Sequence, residues 1–184
     1  MKKTQTRKWL SILLCLALAL GLTTAAVAEQ GQAALPIAKS TTLGFSSGVG
    51  AWMSEITLNP DGSVSGFYHD SDMGDTGEGY PNGTLYESAF SGQVTEISQI
   101  DPTHFRVKIA FTTEQEPGTQ FIEDGVLHIC SEPAGCTGGE FDLFLPGAAV
   151  SELNEEALSW WNDAPENATV LNVHALVNIL DNSA

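Results

Sequence analysis

Apolar and polar residues alternate along much of this chain with the period of a β-strand. Trp52, Ser54, Ile56 and Leu58 fall on one face while Met53, Glu55 and Thr57 fall on the other, which predicts a strand over residues 52–58. Asn59-Pro60-Asp61-Gly62 follows as a turn, with Pro60 presetting φ and Gly62 suited to a left-handed corner. A return strand over Ser63–His69 completes a hairpin. Thr84–Phe90 and Gln93–Ile97 read as two strands parted by Ser91-Gly92. The cleanest alternation is His104–Thr112, where Phe105, Val107, Ile109 and Phe111 oppose His104, Arg106 and Lys108. Gly125–Cys130 and Glu140–Leu145 read as further strands, and Thr169–Leu180 is the candidate for closing the sheet.

The period changes once, near residues 151–161. Ser151 or Asn154 can cap a helix there, Glu155 and Glu156 suit its positive end, and Leu153, Ala157 and Trp161 share a face. Pro165 bounds it. Many short strands at regular spacing plus one late helix predict a mainly β fold, an antiparallel barrel or sandwich.

The first 28 residues stand apart from this pattern. Lys2, Lys3, Arg7 and Lys8 precede an apolar run from Trp9 to about Leu22, and Ala26-Val27-Ala28 supplies small residues before Glu29, the layout of an export signal. The expected organisation is a signal over 1–28, a polar linker over 29–42 and one β domain over 43–184. Cleavage near Ala28-Glu29 leaves Lys39, Arg106 and Lys108 against all 23 acidic residues, a formal charge of −20. Repulsion of that size disfavours nucleic acid and anionic lipid. The run at 9–22 is short for a membrane span, and no later stretch qualifies. The expected location is secreted or periplasmic, with no membrane insertion after cleavage.

Cys15 leaves with the signal, so Cys130 and Cys136 remain, joined by the turn-forming Ser131-Glu132-Pro133-Ala134-Gly135. In an oxidising compartment this spacing predicts a disulfide, worth about 2–2.5 kcal/mol for so small a ring. The spacing is not Cys-x-x-Cys, and His128 with the two thiols lacks the further ligands of a zinc site.

Three segments carry a resemblance: Glu55-Ile56-Thr57-Leu58-Asn59-Pro60-Asp61-Gly62, Gly66-Phe67-Tyr68-His69-Asp70-Ser71-Asp72-Met73-Gly74-Asp75 and Tyr80-Pro81-Asn82-Gly83. Together they resemble a family of uncharacterised exported bacterial proteins, many of them lipoproteins. The similarity extends through Glu116-Pro117-Gly118-Thr119, Ile122-Glu123-Asp124-Gly125 and Leu145-Pro146-Gly147 to Trp160. This chain departs from the family in lacking a usable lipid-attachment cysteine. The tryptophan-bearing strand and its Asp-Gly hairpin also resemble lipocalin-like barrels. Neither likeness implies catalytic residues.

Two sets of residues carry candidate chemistry. Trp52, Phe67, Tyr68, Tyr86 and Phe105, with Tyr80 and Phe111, can line a barrel interior or its mouth. That reading makes the protein a non-catalytic binding module for a small apolar or amphipathic ligand, or for an extracellular protein. Asp70, Asp72, Asp75 and Glu78 place four carboxylates within nine residues among glycines, an arrangement able to offer oxygens to Ca²⁺ without EF-hand spacing. The alternative is therefore a calcium-stabilised extracellular module. A third reading, hydrolysis, would use His69 with Asp70 or Asp72, but no nucleophile elbow or zinc-helix motif accompanies them.

Overall fold

The computed structural model describes residues 33–46, 50–136, 139–161 and 164–180. The expected signal, Cys15 and the first part of the linker lie outside them. The structure is 50% strand and 6% helix, a nearly closed, barrel-shaped antiparallel sheet with one short helix. The strands are β1 (Thr41–Ser46), β2 (Trp52–Leu58), β3 (Ser63–Asp72), β4 (Thr84–Gln99), β5 (His104–Thr113), β6 (Gln120–Glu123), β7 (Val126–Cys130), β8 (Glu140–Phe144) and β9 (Ala175–Asn178). Helix α1 spans Glu155–Ser159, after a 3-10 turn at Val150–Glu152.

The main path runs β1-β2-β3-β4-β5-β8-β9 and ends on two edges, β1 and β9. The β6–β7 hairpin attaches to the side, with β7 running parallel to the first residues of β4. The β2–β3 hairpin forms where the alternation places it. Gly62 takes φ +82°, its N–H donates to the Asn59 carbonyl at 2.9 Å, and the Asp61 carboxylate accepts from the Ser63 N–H at 2.9 Å. Residues 84–99, expected as two strands, are one. Gly92 does not break β4 because it lies in register between Val64 and Phe111, with a bulge at Val94/Glu96 turning the strand further on.

Inward side chains fill the barrel. Leu58, Val64, Val94, Val107 and Leu143 are each at most 3% exposed. Phe90, Phe111 and Phe141 meet edge to face at centroid distances of 5.7 and 5.9 Å. Leu35 and Ile37 join this core, so the second half of the expected linker packs against the sheet. A smaller core lies on the opposite face of β8–β9, where Phe144 and Val177 meet Ala148, Ala157 and Leu171. Asn154 caps α1, its side-chain oxygen accepting from the Ala157 N–H at 2.6 Å, and Leu153 and Trp161 pack on the small core.

The expected Cys130–Cys136 disulfide is not formed in the structure. The Cys130 thiol donates to the Gln115 carbonyl at 3.3 Å. Burial, followed by the charges of Glu87 and Glu132, pushes this thiol up in pKa, the opposite of what a reactive cysteine needs. The segment between the cysteines closes the barrel in another way. Ser54 on β2 donates to the Ala134 carbonyl at 2.8 Å, and Asn178 on β9 donates to the Gly135 carbonyl at 2.9 Å. Both side chains are buried, so the loop is stitched across the gap between the sheet's two ends.

Candidate functional site

The unpaired edges β1 and β9 leave a seam, and a cavity of about 170 Å³ lies along it. Leu43 and Phe45 of β1 form one wall, Leu171 and Leu176 another, and Trp160 and Trp161 from the end of α1 a third. The Ala134–Cys136 loop lines it as well. Each wall follows from a local rule. Strand alternation turns Leu43 and Phe45 inward opposite Ile56 and Ser54. Consecutive residues on a helix end cannot share a face, so Trp160 and Trp161 reach different neighbours. Trp160 packs edge to face on Phe45 at 4.4 Å and on Trp52 at 5.8 Å, while Trp161 packs against the small core.

Two polar features stand out in this apolar setting. The indole Nε1 atoms of Trp160 and Trp161 are both buried and have no hydrogen-bond partner among the described residues. A buried donor left in this state costs about 1–3 kcal/mol relative to one that is satisfied. The second feature is His174, also on the cavity lining. Burial, and after it the charge of Lys39, pulls its imidazole below the ordinary 6.5.

That depression has a definite sign in stability. Above about pH 6.5 the imidazole is neutral in both folded and unfolded chains. As pH falls through this value the unfolded chain gains a proton that the folded chain does not yet accept. Stability present above the unfolded pKa is then lost as pH falls through the folded one. Thermal unfolding between pH 7.5 and 5 should show a midpoint that declines with acidity, and His174→Phe should flatten part of that decline. An unchanged slope in the variant would remove His174 as the cause.

The aromatic residues expected to form a binding site do not gather as a set. Trp52 reaches the rim of the cavity through Phe45 and Trp160. Tyr68 and Tyr86 are inward-facing and half-buried on β3 and β4, where burial, then the charge of Asp70, raises the Tyr68 pKa. Phe105 is locked into the filled core at 8% exposure. Phe67 points the other way, on the outer face beside His69, and is 42% exposed. An inward place for Phe67 is therefore corrected: the even-numbered residues of β3 face the core.

The acidic segment is spread along a strand end and its turn. Asp70 sits within β3, opposite Trp52 and Tyr86. Asp72 Oδ1 accepts from the Gly74 and Asp75 N–H groups at 2.8 and 3.1 Å, Asp75 Oδ2 accepts from the Thr84 hydroxyl at 2.9 Å, and Glu78 is exposed. No three of these carboxylates converge to metal-ligand distance among the described residues. His128, weighed with the thiols, instead pairs with Glu87 at 2.8 Å and stacks on Phe121.

Several cavity residues had no signal strong enough to find them in the sequence. Phe45 lies on β1, a strand with only two large apolar residues. Val173 and His174 come from the approach to β9 and Leu176 from β9 itself, a stretch where apolar and polar residues are mixed. No helix among the described residues is long and apolar enough to cross a membrane. Comparison with protein-family models, with curated proteins and with solved structures gave no match.

Proposed function

We propose that this is an exported binding module that takes a small, largely apolar molecule into the seam cavity. The observation that carries this is the coincidence of an apolar cavity with two buried indole N–H groups in its walls that have no partner among the described residues. A cavity of about 170 Å³ is close to the ~150 Å³ that holds a benzene-sized molecule, so the guest is small, or is the end of a longer one. The indoles favour a guest with a hydrogen-bond acceptor. A formal charge of −16 on the whole chain disfavours an anionic acceptor and points to a neutral carbonyl or ether oxygen. Export follows from the N-terminal pattern and agrees with the resemblance to exported bacterial proteins.

Cyclohexanone and cyclohexane test this directly, since they match in size and differ by the acceptor. Trp160 and Trp161 line the site and Trp52 lies at its rim, so fluorescence reports binding. Both probes should bind, and Trp160→Phe with Trp161→Phe should weaken cyclohexanone about fivefold while sparing cyclohexane, as expected for loss of roughly 1 kcal/mol of hydrogen bonding. Absence of any saturable signal with either probe would remove the proposal. Equal loss for both would keep the apolar cavity but remove the role of the indoles.

A further inference from the structure

On the outer face of β5, away from the seam cavity, three ligand-bearing residues from separate segments converge. Asp101 lies in the β4–β5 turn, His104 opens β5, and Glu152 ends the 3-10 turn, with one ligand atom from each lying within 4.8 Å of the others. The histidine is the best positioned. Its ring stacks on Phe144 at 4.3 Å, and its side chain is 15% exposed. Nε2 faces Asp142 Oδ1 at 3.2 Å, though off the line of a good hydrogen bond. Asp142 is itself held by both arms of Arg106, at 2.9 and 3.0 Å. This carboxylate favours the tautomer with the proton on Nε2. Nδ1 is then left with a free lone pair, 3.9 Å from Glu152 Oε2.

A histidine whose second nitrogen faces an anchored carboxylate is the usual arrangement around a protein-bound metal, where the outer carboxylate fixes the ring and raises its basicity. Asp101 is held in the same way. Its Oδ1 accepts from the Thr103 N–H at 2.7 Å and the Thr103 hydroxyl at 3.0 Å, which orients the carboxyl group. We propose that Asp101, His104 and Glu152 form a site for a divalent metal of the zinc class, with Asp142 and Arg106 as its outer support. One nitrogen and two carboxylate oxygens suit zinc or its neighbours better than Ca²⁺, which prefers an all-oxygen shell. Tetrahedral ligands about 2.0–2.2 Å from one ion lie about 3.3–3.6 Å apart. Atoms now within 4.8 Å of one another must therefore close by up to about 1.5 Å. Glu152, exposed and 3.9 Å from His104 Nδ1, is the side chain able to move.

The ion would tie the 3-10 turn to the β4–β5 turn. Leu153, the next residue, lines the seam cavity, so occupancy would hold one wall of that cavity in place. The site does not depend on the cavity having a guest. Its test is titration of the chain, freed of metal, with Zn²⁺ by calorimetry, repeated with Glu152→Gln and with the exposed Glu123→Gln as control. The expected result is one Zn²⁺ per chain, at least tenfold weaker binding in Glu152→Gln, no change in Glu123→Gln, and no competition from equimolar Ca²⁺. Glu152 is exposed, so its variant keeps the fold. No 1:1 binding, or binding that survives Glu152→Gln as zinc held by the thiols would, overturns the site. Equal weakening by Glu123→Gln would mean a diffuse acidic surface and overturns it as well.

Discussion

Gly66→Val should destabilise the protein more than any single surface change, by about 3 kcal/mol or more. Gly66 lies on the inward face of β3, paired with Ile56 and Phe90, and its backbone φ is ordinary. Space alone requires glycine. An added Cβ would lie 2.5 Å from Phe90 Cε2 and closer still to Phe90 Cζ and the Glu55 carbonyl oxygen. The ring can turn aside, but the carbonyl belongs to the neighbouring strand and cannot move without unzipping the ladder. With total stabilities of about 5–15 kcal/mol for domains of this kind, the variant should lose a large part of its margin in urea unfolding. Gly74→Ala, in an exposed turn with ordinary φ and a nearest contact of 3.3 Å, should shift stability by less than about 0.5 kcal/mol. Adding Phe90→Leu to Gly66→Val should recover the part due to the ring and leave the part due to the carbonyl. A Gly66→Val protein as stable as the parent would mean that the β3–β4 register differs from the one described.

The fold was legible where alternation and turn chemistry agree. β2 begins and ends where the pattern of residues 52–58 predicts, because Trp52, Ser54, Ile56 and Leu58 meet both strand period and a Pro-Asp-Gly corner. The inward row of β5 was equally plain. Of the two possible caps, Ser151 and Asn154, it is Asn154 that caps a helix shorter than residues 151–161, because residues 150–152 form a 3-10 turn. Misreadings came from residues whose partners are distant in sequence. Leu35 and Ile37 flank a proline in a stretch of small residues, and nothing local shows that Val94 and Leu58 await them. Ser91-Gly92 looks like a break until the tight space near the Ala110 carbonyl, 2.8 Å from where a Cβ would sit, explains the glycine within a continuous strand. The Cys130–Cys136 segment has the turn residues a small ring needs, but its carbonyls are bonded to Ser54 and Asn178.

The candidate sites were less legible than the fold, for the same reason. Residue type singled out large aromatics, and Trp52 does reach the cavity rim. Yet the seam is made where the chain's first and last strands approach, and no local window contains both β1 and β9. The acidic run drew attention because its carboxylates are neighbours in sequence. Adjacent strand and turn residues point in different directions, however, whereas Asp101, His104 and Glu152 converge because β5 and the 3-10 turn are brought together by the sheet.

Leu143→Ala should cost about 2–5 kcal/mol, because a fully buried leucine between β5 and β9 leaves a hole that its paired strands cannot collapse around. Leu143 faces Phe105 on one side and Leu176 on the other, so it ties β5, β8 and β9 together at the centre of the barrel. It does not line the seam cavity. The variant should therefore lose stability in urea while the folded fraction binds cyclohexane with the parent's affinity. A gain in cyclohexane affinity would show that the interior and the seam are one space, and the division between a filled centre and a separate cavity would be wrong. That division has a physical basis. With β1 and β9 not paired to each other, no ladder of hydrogen bonds among the described residues closes the barrel, so cohesion across the gap falls to the packed centre and to the loop held by Ser54 and Asn178. Because those contacts carry the closure, the cavity beside them can stay open to a guest without loosening the sheet.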